Sequence, residues 1–177
     1  ALAKELSINP KKTVKILLGS RGNWQEIETF LRETPLKQRP KAISLLSTIA
    51  AKDLRDTPAS VWMDHLTYTK PMQSSLFTEY VLNPRVANEL LTPYRKFFLT
   101  NMDAQLQIEA KANPQLLINW VKDSIQVNDT LNTQRIPIMP MGVWKSRVAD
   151  RHSRDIFFVT LCRSLGIPAR IEPVAGK

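Results

Sequence analysis

The chain has 177 residues, with 25 Lys and Arg against 16 Asp and Glu, and so carries a formal charge of +9. Its glycines, Gly19, Gly22, Gly142, Gly166 and Gly176, are not spaced for a dinucleotide-binding or Walker loop, so no cofactor held by a glycine-rich loop is expected. The single cysteine, Cys162, excludes an intramolecular disulfide framework and a multi-cysteine zinc site, and two lone histidines, His65 and His152, supply no metal cage.

No apolar run approaches the roughly 20 residues of a membrane helix, so no transmembrane segment is expected. Residues 1–10 contain no hydrophobic signal core. The basic residues fall in short clusters: Lys11, Lys12 and Lys15; Lys37, Arg39 and Lys41; Arg147, Arg151 and Arg154. None is interleaved with an aromatic stacking platform, so nucleic acid is not the expected partner. Solvated helix faces explain most of this charge, and an anionic polysaccharide or membrane surface is the remaining reading.

Apolar spacing is helical up to about residue 131, which predicts a mainly α chain. A short helix is expected over Lys11 to Leu18. Asn23 with Glu26 forms a capping-box pattern ahead of Trp24, Ile27, Phe30 and Leu31. The next helix is expected from Pro40 to Leu54, burying Ile43, Leu46, Ile49 and Ala50. Thr57-Pro58 reads as N-cap and first helical residue before Val61, Trp62, His65 and Leu66. Short helices are then expected around Leu76 to Leu82 and after Thr92-Pro93, carrying Tyr94, Phe97 and Phe98. Asn113-Pro114 opens a helix with Leu117, Trp120, Val121 and Ile125 inside.

Residues 133–149 lack a period and read as a long ordered loop. The last helix, Ser153 to Leu165, is the most apolar and is expected to be the most buried, with Phe158 in its core face against Leu117, Trp120 and Val121. Ser153 is its expected N-cap and Gly166 its C-terminal stop, followed through Pro168 by a β-like stretch, Ala169 to Val174. That strand, at a sheet edge, is a candidate surface for self-association. The expected organisation is a helical region over 1–75, a helical connection over 76–113 and a core over 114–177.

The run Leu161-Cys162-Arg163-Ser164-Leu165-Gly166-Ile167-Pro168-Ala169-Arg170-Ile171 resembles the transglutaminase-like core of the papain-like superfamily, in which a buried nucleophile helix ends in a leucine-rich turn and G-I-P-A-R. Trp120 to Asn128 is similar to the helix preceding it. Residues 79–98 are similar to a segment upstream of such cores in large extracytoplasmic bacterial proteins. The resemblance implies an incomplete α+β core, the nucleophile helix plus a first strand, following the helical N-terminal region, and a periplasmic or cell-surface location. It also implies a Cys at the start of the helix, with a His and an Asp on later strands.

The nucleophile position departs from that pattern. A gapless count of about 15 residues back from Gly166 gives Arg151, with His152 and Ser153 next; aligning Ser153 instead requires a two-residue deletion, which turns a helix by roughly 200°. Neither register supplies a thiol. Cys162 reads as a core residue, His65 as a core-edge histidine, and His152 as a surface or capping residue near the nucleophile position. The family's His and Asp fall beyond residues 171–177. The expected function is a noncatalytic module that binds or scaffolds a peptide, protein or polysaccharide, without a metal or cofactor. The alternative is a cysteine or serine peptidase or acyltransferase completed by later sequence.

Overall fold

The computed structural model describes residues 1–172. Helices α1 (Leu2–Glu5), α2 (Pro10–Ser20), α3 (Trp24–Glu33), α4 (Arg39–Thr48), α5 (Ala51–Asp56) and α6 (Ala59–Thr67) come first. A π-helical turn, Thr78–Leu82, leads to α7 (Arg95–Asn101), α8 (Ala104–Ala112) and α9 (Gln115–Ser124). Strand β1 (Gln126–Val127), α10 (Pro140–Ser146), β2 (Val148–Ala149) and α11 (Arg151–Leu165) follow. The chain is mainly α, as expected, and the two strands form one short parallel pair with Gln126 opposite Val148 and Val127 opposite Ala149.

Several local patterns resolve differently from the sequence reading. Asn23 and Glu26 do not form a capping box: Asn23 Nδ2 donates to the carbonyls of Leu54 and Thr57, and Glu26 Oε2 accepts from Ala59 N at 2.7 Å. The pair ties the start of α3 to the junction of α5 and α6, and Glu26 supplies the cap at α6 that Thr57 was expected to provide. The helix expected over Pro40 to Leu54 is two. Ser47 and Thr48 turn their hydroxyls onto the carbonyls of Ile43 and Leu45, and Ile49 and Ala50 are extended. Such back-bonding competes with the helix ladder. The break buries Ile49 and leaves Ala50 exposed.

The stretch 133–149 contains α10, opened by Pro140 at a position where its missing N–H costs nothing. In α11 it is Phe157 that is fully buried, whereas Phe158 is only partly so. Residues 169–172 form no strand; Ala169 N donates to Tyr80 O and Ala169 O accepts from Arg163 Nε. Both backbone groups of Ala169 are thereby taken, so it offers no open edge; positions 173 and 174 of the expected strand lie outside the described residues.

Two apolar clusters hold the fold. The first lies within residues 6–91 and is built around Ile27, Phe30, Leu45, Leu46, Trp62 and Leu66. The second joins Tyr94, Phe98, Leu117, Val121, Val143, Phe157 and Leu161, with Trp120 and Trp144 at its margin. Helix α11 packs on α7, α9, α10 and the π-helical turn.

The seam between the clusters is polar. Arg95 is fully buried and donates to the carbonyls of Arg163 (2.6 Å), Val81 and Leu82, and through Nε to His65 Nδ1 at 3.2 Å. Arg163, also buried, donates to the carbonyls of Ala169, Asn83 and Arg85. Burial lowers the pKa of both guanidinium groups. Their donors are matched mainly by backbone carbonyls, the partners that a buried polar group requires.

Candidate functional site

The start of α11 opens into a cleft of about 490 Å³ lined by Asp129, Asn132, Arg135, Pro137, Asp150, Arg151 and His152. The parallel strands set this geometry. β2 runs directly into the helix, and β1 delivers Asn128 and Asp129 beside it, with Asn128 N bonded to Ala149 O at 2.9 Å.

Asp150 is the N-cap of α11. Its carboxylate accepts from Ser153 N (3.0 Å), Ser153 Oγ (2.6 Å) and Asn132 Nδ2 (2.6 Å). Desolvation opposes ionisation there, and the hydrogen bonds from Ser153 and Asn132 outweigh it, holding Asp150 below the usual carboxylate range. The expected cap, Ser153, lies one turn further in, because an Asp immediately before the helix satisfies the orphan N–H groups with a charged acceptor.

Ser153 is fully buried. Its Oγ donates to Asp150 and accepts from Ile138 N at 2.9 Å, so the hydroxyl bridges the helix start to the chain entering α10. The carboxylate it meets is a poor base because its pKa is lowered, and no histidine is bonded to Ser153 among the described residues. Arg151 is 76% exposed, with its guanidinium 3.3 Å from Asp129 and its backbone N–H on Asp129 Oδ1 at 2.9 Å. His152 is exposed and its Nε2 bonds Asn88 Oδ1 at 2.9 Å. The three positions singled out in the sequence thus share a helix turn, but not one set of partners.

Cys162 lies in the second core. Burial pushes its thiol up to about 12, and at roughly 1.5 Å per residue it is about 16 Å along the helix from Arg151. His65 is fully buried beyond the same end of α11. Its Nδ1 accepts from Arg95 and its Nε2 meets Thr92 O at 3.0 Å, which defines a neutral ring protonated at Nε2. Burial first, then the Arg95 charge, drives its pKa well below the ordinary value.

Gly166 has φ of 82°, the left-handed stop expected of it, and Ile167 N closes back on Cys162 O at 2.9 Å. Ile167 and Ala169 pack on the second core, and Pro168 lies between them. Arg170 stacks over the Tyr80 ring and pairs with Glu172.

Sequence reasoning missed Asp150, Asn132 and Asp129. For Asp150 a signal was present, a capping residue type directly ahead of the helix; Asn132 and Asp129 reach the site only through the strand pairing. No group of three or more His, Cys, Asp or Glu side chains among the described residues is placed to hold a metal.

A buried helix that ends in a left-handed glycine and G-I-P-A-R, with a cleft at its N-terminus, agrees with the resemblance read from the sequence. Residues 100–173 match the family model of the transglutaminase-like superfamily, and the C-terminal part of the chain therefore carries a transglutaminase-like core. No curated protein and no solved structure matches the chain.

Proposed function

We propose that this transglutaminase-like core is a noncatalytic module, a binding or scaffolding part of an extracytoplasmic bacterial protein, whose cleft at the start of α11 faces a peptide, protein or polysaccharide. The observation that supports it is the bonding of Ser153. At the helix start, where a thiol nucleophile belongs in this superfamily, the exposed Arg151 pairs with Asp129, the exposed His152 bonds Asn88, and the Ser153 hydroxyl is fixed between Asp150 and Ile138 N. A serine hydroxyl without a base is a very weak nucleophile near neutral pH. The extracytoplasmic location rests on the sequence resemblance of residues 79–98.

The test is activity of the intact chain: casein hydrolysis and incorporation of a fluorescent amine into casein, with iodoacetamide labelling of Cys162 followed in parallel. The expected result is no turnover, slow labelling of the folded protein and fast labelling after denaturation. Turnover abolished by Ser153→Ala or by Cys162→Ser overturns the reading in favour of an acyltransferase or peptidase.

A further inference from the structure

Helix α2 carries a pattern that the core at the other end of the chain leaves unused. Its inner face buries Thr13, Ile16 and Ser20. Its outer face sets Val14 and Leu18 beside Lys11 and Lys15, with Lys12 on the adjoining flank and no acidic residue anywhere in the helix. Val14 is 55% exposed and Leu18 75%; Trp24, 50% exposed at the start of α3, lines the same shallow depression. These are the side chains a fold would be expected to bury, and they stand together rather than singly. On the other flank of α2, Lys12 and Lys15 rim a second cleft, of about 390 Å³, floored by Ile16, Leu46, Ile49 and Leu54.

Charge selects the occupant. The carboxylates beside the patch, Glu5 and Glu28, share Arg32, with Glu28 at 2.7 Å, so one of their two negative charges is neutralised and the lysines of α2 outnumber the one that remains. A second copy of the chain brings the same cations and is repelled. A stable protein partner needs roughly 20–30 residues per side, far more than this patch offers. Protruding aliphatic side chains, a half-exposed Trp and a lysine collar match a soft, negatively charged interface, where apolar tips enter the headgroup boundary and cations stay with phosphate.

We infer that the outer face of α2, together with Trp24, docks the protein onto the surface of an anionic lipid bilayer. The contact is peripheral: no helix among the described residues is long and apolar enough to cross a membrane. Independent of the noncatalytic reading, it concerns the opposite end of the chain and leaves the α11 cleft untouched.

The experiment is sedimentation of the intact chain with vesicles of phosphatidylcholine, with and without phosphatidylglycerol, combined with quenching of Trp24 fluorescence by brominated lipid, using Trp24→Phe as the reference. Binding is expected only with phosphatidylglycerol and is expected to fall as salt rises. Leu18→Glu should lower partitioning at least about tenfold, and Lys11→Gln/Lys12→Gln/Lys15→Gln about a hundredfold. These side chains are exposed, so the thermal melts should match the parent chain. No sedimentation with anionic vesicles, equal binding to neutral ones, or binding indifferent to Leu18→Glu each overturns the proposal. So does a Leu18-dependent dimer in light scattering without vesicle binding.

Discussion

At its first turn α11 leaves Arg151 and His152 exposed, bonded to Asp129 and Asn88, and buries only Ser153 against Asp150, whereas at its last turn Arg163 is buried and bonded to Asn83, Arg85 and Ala169. The first turn is where this superfamily places its chemistry; the last is where it places its G-I-P-A-R turn. The two ends differ in how much of the molecule their bonds tie together. Arg163's bonds to Asn83 and Arg85 join segments about 80 residues apart, and its bond to Ala169 fixes the turn that follows the helix, so its loss is felt across the molecule. The bonds of Asp150 close a helix end and one neighbouring loop. One end is a joint between the two apolar clusters, and the other is a rim.

The largest test of that contrast is Arg163→Met. It removes a buried charge of similar length and leaves three carbonyls without their donor, so unfolding free energy should fall by about 3 kcal/mol. Equilibrium denaturation in urea measures it. A change below about 1 kcal/mol would mean that water replaces the guanidinium and that the joint is not a joint.

A smaller effect comes from His65 beside the same joint. Its folded pKa is depressed, so between that value and the unfolded pKa near 6.5 the unfolded chain binds more protons than the folded one. Stability from this group is therefore complete above about pH 6.5 and is lost as pH falls through the folded value, with a slope approaching about 1.4 kcal/mol per pH unit. The physical obstacle is specific: protonation at Nδ1 converts the acceptor of the Arg95 Nε–H into a second donor against a buried cation. Denaturation between pH 6.5 and about 5, compared with His65→Gln, reads the slope; an unchanged slope in the variant assigns the titration elsewhere.

The sequence made the last turn of α11 legible because its signals are local: a left-handed glycine, a proline two residues on, and a long apolar helix before them. It made helices with one strong apolar stripe legible for the same reason, as with Ile27, Phe30 and Leu31 in α3. The polar seam was not legible. Arg95 and Arg163 look like ordinary surface cations until the fold brings carbonyls from residues 81–85 around them, and nothing in their neighbours announces this. Asn23 and Glu26 show the same limit in reverse: a correct local pattern was outbid by carbonyl and N–H groups from residues 54–59. At the candidate site, Arg151, His152 and Ser153 were found by counting from Gly166. Their partners come from elsewhere in the chain: Asp129 for Arg151, Asn88 for His152, and for Ser153 the Asp150 carboxylate that Asn132 also holds, together with Ile138 N.

The smallest effects belong to the rim, and they separate its two kinds of residue. Asp150→Ala removes the N-cap and leaves Ser153 Oγ without its acceptor, so a loss of about 1–2 kcal/mol is expected. Arg151→Ala should change stability by less than about 0.5 kcal/mol, because its guanidinium is exposed and an ion pair to a half-exposed Asp129 in high dielectric contributes little. The backbone bond from Arg151 N to Asp129 survives the substitution, which keeps the entry to the helix in place. The two variants together decide whether the first turn is a structural cap carrying one spare side chain. If Arg151→Ala cost as much as Asp150→Ala in the same urea titration, the Arg151–Asp129 pair would be part of the joint rather than the rim. The contrast between the ends of α11 would then have to be redrawn.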